Sequence, residues 1–172
     1  MHNKVVHILA RSFEQLGLCT VRFNFRGVGN SSGRYDQGKG ETEDLLAVVD
    51  WVQGSLAGAA LWLAGFSFGS YVALQAASLR EVSQLVLVAP PVNLYDFAGP
   101  IAKDSSCLVI QGEEDEVVPP RAVQDWVGRL VTPPQLVTVP GATHFFHKRL
   151  NDLRAIVVDS LAPRLPELRS RG

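Results

Sequence analysis

Cysteine, net charge and long apolar runs are all in short supply in this chain. Its two cysteines, Cys19 and Cys107, are too few for the disulfide framework of a small secreted domain. Both lie in apolar, strand-like runs, which reads as two buried thiols in a cytoplasmic protein rather than a bridge. The 16 Lys and Arg residues against 17 Asp and Glu leave a net charge of −1, with no like-charged block of the sort that binds nucleic acid. The basic scatter of Arg164, Arg169 and Arg171 reads as a solvated tail. No run approaches the ~18 apolar residues that a membrane span requires. The stretch Val5–Ala10 contains His7 and runs into Arg11, too short for a secretory core and without a small-residue cleavage site. No pair of His or Cys has ligand spacing near an acidic partner, so neither a metal nor another cofactor is expected.

What is present suits one globular domain: 172 residues, of which 47% are hydrophobic. Val5, Leu9, Phe13 and Leu16 recur at helical spacing, and Gly17 follows as a stop. Cys19–Phe25 alternates like a strand, with Val21, Phe23 and Phe25 on one face. Gly27–Gly40, rich in Gly and Ser, reads as a loop. Glu41, Glu43 and Asp44 place negative charge at a helix start, with Leu45, Val48, Val49 and Val52 as its buried stripe. Short apolar strands and amphipathic helices then alternate. Leu61–Ala64, Leu85–Ala89, Cys107–Gln111 and Leu136–Val139 read as strands. Ser67–Leu79 reads as a helix, as do the segments marked by Val123, Trp126, Val127 and Leu130 and by Leu150, Leu153, Val157 and Leu161. Pro119 and Pro120 introduce the second of these. The inner strands are apolar on both faces, as strands covered by helices on either side must be. The alternation predicts an α/β domain, a mostly parallel sheet with helices on both faces.

Three segments carry chemistry. Gly65-Phe66-Ser67-Phe68-Gly69 joins a strand to a helix, the context a nucleophile elbow needs; the Gly-x-Ser-x-Gly pattern alone is weak. A serine hydroxyl needs a base to take its proton, and the base needs a third group to hold it. Asp115 follows the strand Cys107–Gln111 in Gly112-Glu113-Glu114-Asp115-Glu116-Val117-Val118-Pro119. His144 follows the strand Leu136–Val139 in Pro140-Gly141-Ala142-Thr143-His144-Phe145. All three therefore fall at carboxyl ends of strands, where open α/β sheets place their sites.

On these segments the chain resembles the small, lidless serine hydrolases of the α/β-hydrolase superfamily, from its first helix to its last. The resemblance implies Ser67 as nucleophile, His144 as general base and acid, Asp115 as the group orienting His144, and the backbone amide of Phe68 as an oxyanion donor. Glu113, Glu114 and Glu116 are rival acids, but Asp115 holds the family position. His147 is a rival base, three residues past the motif position and read as a satisfied or exposed helix-start residue. His2 and His7 read as structural or solvated residues of the first helix. The loop Arg26-Gly27-Val28-Gly29-Asn30-Ser31-Ser32-Gly33 follows a strand, but no helix opens directly after it, as a dinucleotide fingerprint requires. It reads as architectural. A second oxyanion donor normally comes from a loop before the first helix. The chain begins at that helix, so the resemblance implies a late start, a truncation or a protein that does without these parts, with a late start or truncation favoured, and a gap in the sheet between Cys19–Phe25 and Leu61–Ala64. The short connection between Leu85–Ala89 and Cys107–Gln111 leaves no room for a lid, and Ser at the nucleophile position argues against a dehalogenase.

The expectation is an acyl-transfer hydrolase acting on a small ester or related acyl substrate through an acyl-enzyme. The rival class is a non-catalytic or inactive α/β-hydrolase-like protein or fragment. The expected partner is a small-molecule acyl substrate, with no nucleic acid and no membrane; a homo-oligomer is left open.

Overall fold

A computed structural model describes residues 3–98, 101 and 105–165; His2, Arg169 and Arg171 lie outside the described residues. Four strands form one sheet in the order β1-β2-β3-β4, every neighbouring pair parallel. They are β1 (Trp62–Phe66), β2 (Gln84–Val88), β3 (Ser106–Gly112) and β4 (Gln135–Val139). The helices are α1 (Lys4–Gln15), α2 (Lys39–Ser55), α3 (Phe68–Ala77), α4 (Pro120–Arg129) and α5 (Leu150–Leu161), with a closing 3-10 turn over Ala162–Arg164. The parallel α/β arrangement expected from the alternating pattern is what forms.

Strand periodicity divides the core into two layers, because successive side chains leave a strand on opposite faces. Phe66, Val86, Val88, Leu108, Ile110 and Val139 pack against α1 and α5 through Val5, Leu9, Phe13, Leu153, Val157 and Leu161. Leu63, Leu85, Leu87, Cys107 and Val109 face the other way, onto α2, α3 and α4. Every residue of β2 is buried, as expected of a strand with neighbours on both edges and helices on both faces. Local chemistry sets the helix ends. Asn3 caps α1 by accepting from the amides of Val5 and Val6, Gly17 ends it at φ +80°, and Pro120 stands at the first position of α4. Among the described residues no helix is long and apolar enough to cross a membrane.

Several expectations need correction. Cys19–Phe25 forms no strand: it has no ladder partner among the described residues, where β1 is the outermost strand of the sheet. Alternation marks a segment able to enter a sheet, but a ladder partner makes it a strand. Phe23 and Phe25 are instead tied to the site by edge-on ring contacts, Phe23 to Phe25 and Phe25 to Phe68. Because Cys19 lies on this unpaired segment it is exposed, and only Cys107 is the buried thiol expected. Burial pushes the Cys107 thiol up to about 12. In α2 only Val49 of the predicted stripe is fully buried, while Leu45, Val48 and Val52 are half-buried. Helix α2 also starts earlier than its acidic residues suggest. Glu41 is 1% exposed and accepts the amides of Gly38 and Asp36, closing the preceding loop.

The glycine-rich loop is held by its own chain. The Arg26 guanidinium donates to both carboxylate oxygens of Asp44, and the Arg26 amide donates to the same group. The side-chain hydrogen bond from Arg26 holds the Asp44 carboxyl below its ordinary value, against the upward push of burial. These bonds tie the start of the loop to the first turns of α2.

Candidate active site

Ser67 follows β1, Asp115 lies three residues beyond the end of β3, and His144 lies in the turn after β4. Parallel strands put these three carboxyl ends on one edge of the sheet, and there the side chains meet. His144 Nε2 is 3.1 Å from Ser67 Oγ. His144 Nδ1 is 2.9 Å from Asp115 Oδ2 and 3.1 Å from Oδ1. An ionised carboxylate only accepts, so Nδ1 carries the proton and donates to Asp115, which leaves the Nε2 lone pair facing the Ser67 hydroxyl. The His144 ring packs against Phe66, at a centroid distance of 5.0 Å, and against Phe145, also at 5.0 Å. His144 and Asp115 are 3% and 6% exposed, whereas Phe145 stands 57% exposed at the rim.

The turn that presents Ser67 is strained. Ser67 sits at φ 50°, ψ −122°, a region that costs a non-glycine residue about 1–3 kcal/mol. Its surroundings hold it there. The Ser67 amide donates to Val88 O at 2.8 Å, and the Ser67 carbonyl accepts both the amide of Ser70 at 2.8 Å and its hydroxyl at 2.6 Å. The two glycines of the motif are not equivalent. A Cβ on Gly65 would fall 2.1 Å from Gly69 O, whereas one on Gly69 would meet nothing within 4 Å. Of the two glycines only Gly65 lets β1 and α3 approach. Phe68 opens α3, so its N–H is one of the first-turn donors without an intrahelical partner.

Asp115 is held from several sides. Its Oδ1 accepts the amides of Val117 at 2.9 Å and Val118 at 2.7 Å. Its Oδ2 accepts from Gln111 Nε2 at 3.0 Å. Burial pushes the carboxyl up, but the hydrogen bonds from His144, Val118 and Val117 outweigh it and hold it below its ordinary value of 3.8. A folded-state value below the unfolded one means that Asp115 contributes stability above the unfolded value, lost as pH falls through the folded one. Acid unfolding followed by circular dichroism should therefore be steeper in the parent than in Asp115→Asn as pH falls below the ordinary carboxylate value of 3.8. Equal slopes would contradict this electrostatic picture of the carboxylate.

Among the rivals, Glu116 Oε2 accepts the backbone amide of His144 at 3.1 Å, bridging the two loops without approaching the imidazole nitrogens. The side chains of Glu113 and Glu114 are exposed, as is His147 in the turn before α5 and His7 on α1. Sequence reasoning missed Gln111 and Ser70, and weighed Glu116 only as a rival acid. Gln111 reads as one more residue of a buried strand, and only its position four residues before Asp115 hints at a partner. Gly112 was also missed: a Cβ there would lie 2.4 Å from Ala142 O, where the two loops touch. Among the described residues no three His, Cys, Asp or Glu side chains cluster as metal ligands would. The connection from β2 to β3 carries no helix or strand among its described residues, so no lid element is seen above the Ser67 side.

Known proteins share this architecture. The family model for the alpha/beta hydrolase fold matches residues 2–105. An uncharacterized protein of Rickettsia prowazekii (strain Madrid E) is 33% identical over 171 residues, spanning 94% of this chain and 72% of the relative. A solved structure described as an alpha-beta serine hydrolase homologue from Coxiella burnetii is 50% identical, with a TM-score of 0.90, covering 94% of this chain and 77% of that one. Another, from Xanthomonas campestris and described as an a/b serine hydrolase without lid, is 48% identical with a TM-score of 0.90, covering 94% and 73%. With its parallel sheet and a serine on the strained turn between β1 and α3, the chain belongs to the alpha/beta hydrolase fold family.

Proposed function

We propose that the protein is a cytoplasmic serine hydrolase that cleaves a small ester or related acyl substrate through an acyl-enzyme. The observation that carries this reading is the unbroken chain Ser67 Oγ to His144 Nε2 and His144 Nδ1 to Asp115 Oδ2, at 3.1 and 2.9 Å. In the proposed reaction Ser67 Oγ attacks the substrate carbonyl while His144 Nε2 takes its proton. Asp115 stabilises the imidazolium that forms and keeps Nδ1 protonated. The Phe68 amide faces the developing oxyanion from the start of α3, where the helix dipole also favours negative charge. His144 returns the proton to the leaving alcohol, thiol or amine. Water, activated by the same imidazole, then releases the acyl group from Ser67.

The reading also rests on exposure. Half-buried Ser67 and exposed Phe145 leave the reacting edge open, an arrangement suited to small or protruding acyl groups. The cytoplasmic placement rests on the exposed free thiol of Cys19, a group suited to a reducing compartment. Stopped-flow mixing with a p-nitrophenyl ester of a short acid tests the mechanism. A burst of p-nitrophenolate approaching one equivalent per protein, followed by slower turnover, is the expected signature of an acyl-enzyme. Release no faster than in buffer would sink the reading in favour of a non-catalytic member of the family.

A further inference from the structure

We infer that Gln111 is a positioning residue for the site, a fourth member that fixes the Asp115 carboxylate on His144. Gln111 occupies the penultimate position of β3 and is 1% exposed. Its Nε2 lies 3.0 Å from Asp115 Oδ2, 3.1 Å from Val118 O and 3.3 Å from Gly112 O. All three neighbours only accept, so the amide must point its nitrogen at them; the reverse orientation would set its oxygen against three others. The oxygen Oε1 is then left buried with no hydrogen-bond partner. A buried acceptor without a partner costs stability, and native folds keep few of them. An apolar side chain of the same length would avoid that cost. What the amide supplies in exchange is a donor on the carboxylate oxygen that lies nearest His144 Nδ1.

The geometry explains why that donor matters. Val117 and Val118 hold Oδ1 only. Without Gln111, Oδ2 would keep His144 as its one hydrogen-bonding neighbour, and the carboxylate could pivot about the Oδ1 anchor. The polar groups in contact with this pair are Gln111 and the Val117 and Val118 amides at Asp115, Ser67 at Nε2, and Glu116 at the His144 amide. From β1 and the β4–α5 turn, the rings of Phe66 and Phe145 face the imidazole.

The inference rests on the proposed reaction for its kinetic consequence but not for its structural one. Gln111→Met keeps length and burial and removes the donor. It should lower kcat for a p-nitrophenyl ester by about 10-fold with KM little changed. It should also shift the acidic limb of kcat/KM, which reads the coupling between the imidazole and the carboxylate. Gln111→Glu keeps the shape and sets a second carboxyl against Asp115, so it should shift the same limb as well. A crystal structure of either variant should show Asp115 Oδ2 turned from His144 Nδ1, or shared between other partners. A role in packing alone would lower thermal stability and leave the limb where it was. An unmoved limb together with an unmoved carboxylate in both variants would overturn the inference. If the parent turns over no ester, the proposed function fails, and the crystallographic comparison still decides the role of Gln111.

Discussion

Asp115→Asn should leave a folded protein whose kcat is about 10,000-fold lower, the typical penalty when the triad acid becomes an amide. The hydrogen-bond pattern says why the loss is so large. Oδ1 accepts two backbone amides, Val117 and Val118, so an asparagine keeps its oxygen there and turns its NH2 toward the Oδ2 side. That side faces Gln111 Nε2 and His144 Nδ1. A donor opposite Nδ1 forces that nitrogen to accept, which moves the imidazole proton to Nε2. The nitrogen facing Ser67 then carries a proton and can no longer take one. Steady-state kinetics with a p-nitrophenyl ester, with circular dichroism as the folding control, measures the effect. A variant within about 10-fold of the parent would mean that Asp115 does not set the tautomer.

Gly65→Ala is expected to be the most damaging single-methyl change at the site. The added Cβ would need to sit 2.1 Å from Gly69 O, with Ser70 N only 2.4 Å away, so β1 and α3 must separate. Overpacking against backbone that cannot rotate away should cost about 3 kcal/mol or more. The separation also pulls Ser67 off the Val88 carbonyl that fixes its amide. Gly69→Ala is the internal control. It adds the same methyl into open space, inside a helix where alanine is favoured over glycine by about 0.5–1 kcal/mol. Chemical denaturation should rank Gly69→Ala at or above the parent and Gly65→Ala far below both. Equal stability of the two variants would show that the elbow does not depend on close approach at Gly65.

The sequence showed the fold and the candidate site unevenly, for identifiable reasons. The strands β1 to β4 were legible because short apolar runs between turn residues have few other uses, and their ends shifted by no more than two residues. That Ser67, Asp115 and His144 would share one edge of the sheet was legible because each stands just beyond such a strand; the choice of Asp115 over its glutamate neighbours and of His144 over His147 came from the resemblance to the family's motifs. Cys19–Phe25 misled because alternation reports what faces a segment could present, not whether a neighbour exists to pair with it. Cys19 was misplaced with it. The roles of Gln111, Glu116 and Ser70 were not legible at all. Each acts through a hydrogen bond that exists only after β3 and its loop, the β4–α5 turn or the elbow have taken their final shape. A glutamine in a buried strand looks the same in sequence whether it fills space or holds a carboxylate. The glycines of the elbow were legible as a pair, but their unequal burden depends on the three-dimensional approach of β1 to α3.

Intact-mass analysis and peptide mapping after brief exposure to a fluorophosphonate read whether Ser67 is activated. The reagent reacts with a serine only when a neighbouring base activates it, so it reads the proposed chemistry without requiring the natural substrate. The account predicts a single adduct per chain on the peptide containing Ser67. That adduct should be absent from Ser67→Ala and slow to form in His144→Ala. An adduct on another residue, or labelling that survives Ser67→Ala, would contradict it.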